Sequence, residues 1–121
     1  MNKQDKELKN VIQALGEHED DSAVAVLERI GTNCKDDEVR RLTAKALINR
    51  NTPEALTIVI SQKGKGVNDL STNVAMSTIN ELLALKNKEN VLKILNEAEE
   101  QNEDENVKET AKSLRALIAL S

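Results

Sequence analysis

Apolar residues recur at steps of three and four along most of the chain, which is the spacing of one buried face of an α-helix. The clearest case is residues 36–60, DDEVRRLTAKALINRNTPEALTIVI, where two such patterns are separated by a short polar break. Asp36 is a suitable N-cap for the first helix. Thr52 and Pro53 suit the cap and first residue of the second, because proline needs no hydrogen-bond acceptor there. This segment predicts two antiparallel helices joined by a tight turn.

The same pattern repeats along the chain at an interval of about one helical hairpin. Four helical segments open on an aspartate, at spacings of 31, 33 and 35 residues: Asp5, Asp36, Asp69 and Asp104. No segment keeps the two-residue alternation of a strand. We therefore predict one all-α domain, residues 1–121, with about seven helices. The predicted repeats are residues 4–31, 36–63 and 69–101, followed by a final unpaired helix at 104–120.

The apolar positions also predict which side chains are buried. In the first helix, expected at about residues 4–15, they include Val11. In the last helix they include Leu114, Leu117 and Ile118. That helix has no following partner in the sequence, so we expect these residues and Leu120 to support weak dimerisation with a second copy.

The best-defined hairpin resembles a HEAT repeat of the short bacterial type that also occurs in phycobilisome-lyase-like proteins. The matching residues are Asp36, Val39, Arg40, Thr43 in place of an alanine, Ala46, Leu47, Pro53, Glu54, Ala55 and Leu56. The third repeat departs from the pattern, since no arginine follows Val74. The resemblance implies an α-solenoid of antiparallel helices in a short right-handed superhelix, with the second helices on its concave side. It also implies ion pairs of Arg40 and Arg41 with Asp36 and Asp37, and an interaction scaffold rather than an enzyme.

Positions off the apolar stripe of the second helices are the candidates for a partner-binding face. They form three rows of small polar and charged side chains: Ser22, Ala25 and Arg29; Glu54, Thr57 and Ser61; Asn90, Lys93 and Glu97. The resemblance implies a protein or peptide as the occupant of this face. A solvated surface without a partner is the alternative interpretation of the same residues.

No group of residues has the spacing of a catalytic or metal site. His18 lies among carboxylates that lack the order of a calcium loop, so a solvated turn is the favoured interpretation. Cys34 is separated from His18 by a helix about 15 Å long, too far for a nucleophile and its base. The glycine-containing segment 62–69 lacks the P-loop pattern and is interpreted as a flexible connection. We expect no catalytic residue, no metal and no cofactor.

Composition narrows the class of partner. The chain has a net charge of −4 and no Phe, Tyr or Trp. The acidic balance and the missing rings disfavour nucleic-acid binding, which uses a basic surface or stacking side chains. The single cysteine, together with the lack of a signal-peptide or membrane-spanning run, leads us to expect a cytoplasmic protein without membrane contact.

The preferred hypothesis is a non-catalytic protein–protein interaction module that binds through the second-helix face. One alternative, suggested by the resemblance, is an accessory or lyase-like factor acting on a cofactor-bearing protein. The other is a DNA-binding HEAT protein of the glycosylase type. The first alternative is disfavoured because the chain has no aromatic side chain to pack against a tetrapyrrole. The second is disfavoured because the chain has a negative net charge.

Overall fold

The computed structural model describes residues 3–18, 20–33, 36–61 and 70–120 of the chain. Within these ranges the chain forms seven helices and no strand, so the prediction of an all-α chain is confirmed. The helices are α1 (Lys3–Glu17), α2 (Ser22–Asn33), α3 (Asp37–Arg50), α4 (Pro53–Ser61), α5 (Thr72–Ala84), α6 (Glu89–Gln101) and α7 (Glu105–Leu120). None of these helices is long and apolar enough to cross a membrane.

Capping groups set the bounds of the central helices. The Asp36 carboxylate accepts a hydrogen bond of 2.9 Å from a backbone N–H in the first turn of α3, as predicted. α3 ends at Arg50 because Asn51 adopts a left-handed conformation with φ 51°. The Thr52 hydroxyl oxygen then accepts a backbone N–H at 3.3 Å, and α4 begins at Pro53. The predicted turn between these helices is therefore confirmed.

The core consists of aliphatic side chains from all seven helices. Its largest fully buried members are Ile12, Leu27, Ile48, Leu56, Leu82, Leu95, Val59, Val74, Val91 and Thr78. One prediction of burial is wrong, because Val11 is 49 % exposed on α1. On α7, Leu117 is 44 % exposed and so remains available for the predicted contact with a second copy. Leu114 and Ile118 are buried within the chain. Less apolar surface of α7 is thus left for the predicted dimer, which stays a prediction.

α1 and α3 pack side by side and run in the same direction. Lys9 Nζ, from the middle of α1, lies 3.3 Å from Glu38 Oε1, in the first turn of α3. Near their ends the backbones approach closely, because a Cβ atom at Gly16 would lie only 3.0 Å from the Ala46 Cβ. Going from Lys9 to Gly16 along α1 thus corresponds to going from Glu38 to Ala46 along α3, so the two helices run in the same direction.

α3 and α5 are related in the same way. The Ser71 hydroxyl, at the N-cap of α5, donates to Asp37 Oδ2 at 3.3 Å, next to the start of α3. Further along, Lys45 Nζ and Glu81 Oε1 lie 4.0 Å apart. α4 packs on α6, and α7 packs mainly against α6.

Side chains at the helix–helix turns tie one hairpin to the next. The Arg50 guanidinium donates to the carbonyl oxygens of Leu15, His18 and Asp20 in the α1–α2 turn. The Asn51 side chain donates to Asn87 O at 2.9 Å in the α5–α6 turn, and the Asn90 side chain donates back to Asn51 O at 2.8 Å. We call these the turn contacts; they join the three turns in chain order.

The prediction that Arg41 forms an ion pair is confirmed, but its partner is not Asp36 or Asp37. Arg41 instead forms two hydrogen bonds with Glu38, of 2.7 and 3.1 Å. Asp36 is used as the helix cap and Asp37 as the acceptor for α5, so neither needs an arginine. The Arg41 hydrogen bonds, with a smaller effect of Lys9, lower the pKa of Glu38 to about 2.

Candidate functional site

Most of the residues predicted to bind a partner are accessible. Seven of the nine are exposed: Ser22, Ala25, Arg29, Glu54, Thr57, Lys93 and Glu97. The other two, Ser61 and Asn90, are half-buried. Accessibility alone does not separate a binding face from a solvated surface, so the arrangement of these residues matters more.

The structure brings three of the nine together at a cleft between the last turns of α4 and α6. Thr57 and Ser61 form one wall and Glu97 lies on the other. We call this the α4–α6 cleft; it has a volume of about 180 Å³ and is lined by Thr57, Ser61, Ile94, Glu97, Ala98, Gln101 and Asn102. The buried side chains of Ile94 and Ala98 form its apolar part. The cleft therefore combines an apolar surface with polar side chains.

The other predicted residues do not line this cleft. α2 contacts mainly α1 and α3 and meets α4 over a smaller area, so its row of Ser22, Ala25 and Arg29 lies elsewhere. Asn90 lies at the opposite end of α6, where its side chain is used in the turn contacts. The three predicted rows thus do not form one continuous site around the cleft.

Gln101 and Asn102 line the cleft but were missed from the sequence. Gln101 is four residues beyond Glu97 and so falls on the same helical stripe. Extending the predicted row by one turn would have found it. Asn102 follows the last residue of α6, where helical spacing no longer applies, and its Oδ1 accepts a backbone N–H of Asp104 at 2.9 Å.

The hydroxyl groups in the cleft use their protons within α4. Thr57 Oγ1 donates to Pro53 O at 2.7 Å, and Ser61 Oγ donates to Thr57 O at 3.1 Å. Each hydroxyl oxygen keeps lone pairs that can accept a hydrogen bond from elsewhere. Glu97 forms no hydrogen bond or ion pair with another residue in the described ranges. The cleft therefore presents acceptors at Thr57, Ser61 and Glu97, while the amide groups of Gln101 and Asn102 can donate as well as accept.

A larger groove of about 360 Å³ lies between α1 and α3. Its walls include Glu17 and Lys45, and its base includes Gly16 and Ala46. The closest approach of the two helices is at these small residues, so the groove follows from helix packing. None of the nine predicted residues lines it.

The residues considered for chemistry do not assemble into a reactive site in the described ranges. His18 is exposed, and its Nδ1 accepts the backbone N–H of Asp20 at 3.0 Å, which makes it part of a solvated turn as predicted. No cluster of His, Cys, Asp and Glu in the described part of the chain has the geometry of a metal site. Cys34 and the segment 62–69 lie outside the described residues, so the hypotheses about them are not addressed.

The fold and cleft define an all-helical protein with repeat-like helix packing. In comparisons with known proteins, no family model, no curated protein and no solved structure matches the chain.

Proposed function

We propose that the chain is a short HEAT-like α-solenoid in which the first helices form one layer and the second helices the other. Two observations support this arrangement. α1, α3 and α5 are successive neighbours that run in the same direction, as first helices of stacked repeats do. The turn contacts join the hairpin turns in chain order, which is how repeats that touch only their neighbours are linked.

The function that this architecture supports best is non-catalytic binding of a protein or peptide through the second-helix layer. The observation that carries the proposal is the α4–α6 cleft, where residues from two adjacent repeats line one concave site. Concave surfaces built from several repeats are the usual binding surfaces of solenoid proteins. Glu54 and Lys93 are exposed on the same helices and extend the surface beyond the cleft.

Capture of a partner by the full chain tests this proposal. A Thr57→Arg, Lys93→Glu double variant changes the size and charge of the face at two exposed positions. The Thr57 hydroxyl bonds only to its own helix, so we expect the variant to fold. The matched control is Asn80→Arg, Lys112→Glu, which makes the same change in net charge at exposed positions of α5 and α7.

The proteins bound by the wild type, the double variant and the control are identified by mass spectrometry. Binding is then measured again with the purified partner by calorimetry. We expect a partner that the double variant loses and the control retains. A partner that binds all three chains equally would contradict the site, and a wild type that binds no partner would contradict the function.

A further inference from the structure

We infer that the α4–α6 cleft binds a lysine or arginine side chain of the partner segment. The inference rests on the proposed function and names the chemistry of its central contact. The cleft volume of about 180 Å³ is below the range of about 300–1,000 Å³ typical of small-molecule pockets. It therefore suits a single side chain from a peptide rather than a whole small molecule.

The polar groups of the cleft select a donor. Because Thr57 and Ser61 give their hydroxyl protons to carbonyl oxygens of α4, their oxygens are available as acceptors. Glu97 contributes a carboxylate, which accepts only, and among the described residues it is the single charged one that lines the cleft. Ammonium and guanidinium groups are the side chains that carry several donors and no acceptor. They fit this set of acceptors better than a hydroxyl or an amide.

Two helix ends add to the preference for positive charge. Ser61 is the last residue of α4 and Gln101 is the last residue of α6, so the cleft lies at the C-terminal ends of both helices. The end of each helix dipole is equivalent to about half a negative elementary charge. Both ends attract a cation at the same place.

Carboxylates also outnumber basic side chains along the end of α6 and the start of α7, although Lys93 is exposed one turn before Glu97. Carboxylates are exposed along the end of α6 and the start of α7, at Glu100, Glu103, Asp104 and Glu105. Of these, Glu105 is compensated by Lys108 Nζ at 3.6 Å. The apolar surface of Ile94 and Ala98 can contact the methylene groups of a long basic side chain while its charged end reaches Glu97.

A matched pair of small probes tests the inference on the full chain. Nα-acetyl-lysine methylamide has the charged side chain, and Nα-acetyl-norleucine methylamide has a similar length without charge. Each is titrated into the isotope-labelled protein, and the backbone amide shifts are followed by NMR. Two variants are compared: Glu97→Gln, which removes the charge in the cleft, and Glu100→Gln, which removes a charge just outside it. Both positions are exposed, and circular dichroism checks that both variants keep the wild-type helix content.

We expect the lysine probe to cause saturable shifts at Thr57, Ser61, Glu97 and Gln101, and the norleucine probe to cause none. We expect Glu97→Gln to weaken the affinity for the lysine probe at least about threefold, as for a partly exposed ion pair. Glu100→Gln should change this affinity less. Equal binding of the two probes, equal effects of the two variants, or shifts spread over the whole acidic surface would overturn the inference. Displacement of the lysine probe by a divalent cation at low concentration would also overturn it, in favour of a metal ion.

The test separates this inference from the proposed function. If the Thr57→Arg, Lys93→Glu variant loses its partner while Glu97→Gln keeps both partner and probe, the interaction function stands and the cationic contact is refuted. If the lysine probe binds through Glu97 but the chain captures no partner, the chemistry of the cleft stands and the interaction function is refuted.

Discussion

Arg50 is the side chain whose loss we expect to destabilise the fold most specifically. Its side chain is only 5 % exposed. Nη1 donates to Leu15 O at 3.0 Å and to His18 O, and Nη2 donates to Asp20 O at 3.1 Å. One guanidinium therefore holds the end of α1, together with His18 and Asp20, against the end of α3. Arg50→Met removes the guanidinium and keeps most of the aliphatic stem.

The expected loss of unfolding free energy depends on which carbonyl oxygens are left without a hydrogen-bond donor. Hydrogen bonds to a charged group contribute about 1.5–3 kcal/mol each. The bonds to the His18 and Asp20 carbonyls are exposed, so water can replace them, while the bond to Leu15 O is partly buried. We expect the free energy of unfolding to fall by about 2–4 kcal/mol, which is in the range of a broken buried network. The melting temperature would fall by roughly 10–15 °C for a chain of this size.

Urea unfolding followed by far-ultraviolet circular dichroism measures this change, since the chain has no tryptophan or tyrosine for fluorescence. Hydrogen exchange should show that α1 and α2 lose protection before α6 and α7. The control is Arg115→Met: Arg115 bonds Asn96 and Glu99 at an exposed site, so we expect a loss of about 1 kcal/mol or less. A loss at Arg50→Met no larger than at Arg115→Met would refute the reasoning.

Three further changes test the packing and the electrostatics. Because Arg41 lowers the pKa of Glu38 to about 2, this pair stabilises the fold above about pH 4.5 and the stabilisation is lost as the pH falls through about 2. Glu38→Gln should therefore cost up to about 1 kcal/mol at neutral pH, after allowance for solvent screening at a side chain that is 41 % exposed, and nothing at pH about 2, as measured by urea unfolding across pH. Gly16→Val should lower the free energy of unfolding by about 1–2 kcal/mol, because even a Cβ would lie 3.0 Å from Ala46 Cβ. Asn51→Ala should cost about 1–2 kcal/mol, since alanine disfavours φ 51° and cannot bond the α5–α6 turn; thermal melts measure both.

Each of these three substitutions has a control variant that tests the physical cause given for its effect. Glu109→Gln removes an exposed carboxylate on α7 and is the control for Glu38→Gln; equal stability profiles of the two variants across pH would contradict the role of Glu38. Ala14→Val places the same side chain at an exposed position of α1 and should cost less than Gly16→Val. Asn51→Gly keeps the backbone conformation and loses only the side-chain bond. It should be more stable than Asn51→Ala, and the reverse order would show that the left-handed conformation is not the cause.

Local features of the fold were predictable because they depend on residues a few positions apart. The side chains of Asp36 and Thr52 accept backbone N–H groups two and three residues further on, so these residue types alone were enough to predict where the two helices start. The helix ends were less predictable: α2 extends to Asn33, three residues beyond the predicted end at residue 30. Gly31 directly after Ile30 is a usual signal for a helix end. Here it lies inside α2 instead, at a close approach to α3, where an added Cβ would be 3.0 Å from the Thr43 side chain.

Contacts between hairpins could not be predicted in this way. The turn contacts join residues that are 30 to 39 positions apart, and no spacing rule indicates that Asn51 faces Asn87 rather than water. Arg41 had two carboxylates within one turn, Asp37 and Glu38, and the sequence does not indicate that it bonds Glu38 while Asp37 accepts from Ser71 at the start of α5. In the cleft, Thr57 and Glu97 were predictable as exposed positions, but their proximity depends on how α4 packs on α6.

The turn contacts of Asn51 and Asn90 and the groups that line the cleft lie at opposite ends of α4 and α6. Asn51 and Asn90 act where α4 and α6 begin, whereas Ser61 and Glu97 lie toward the ends of the same helices. The cleft hydroxyls bond only within α4, and Glu97 bonds no other described residue, so none of them links one helix to another. Substitutions in the cleft should therefore change binding with little effect on stability, while substitutions such as Asn51→Ala should do the opposite. A cleft variant that lowered stability as much as a turn variant would show that the two ends are coupled, and binding losses could then not be assigned to the cleft.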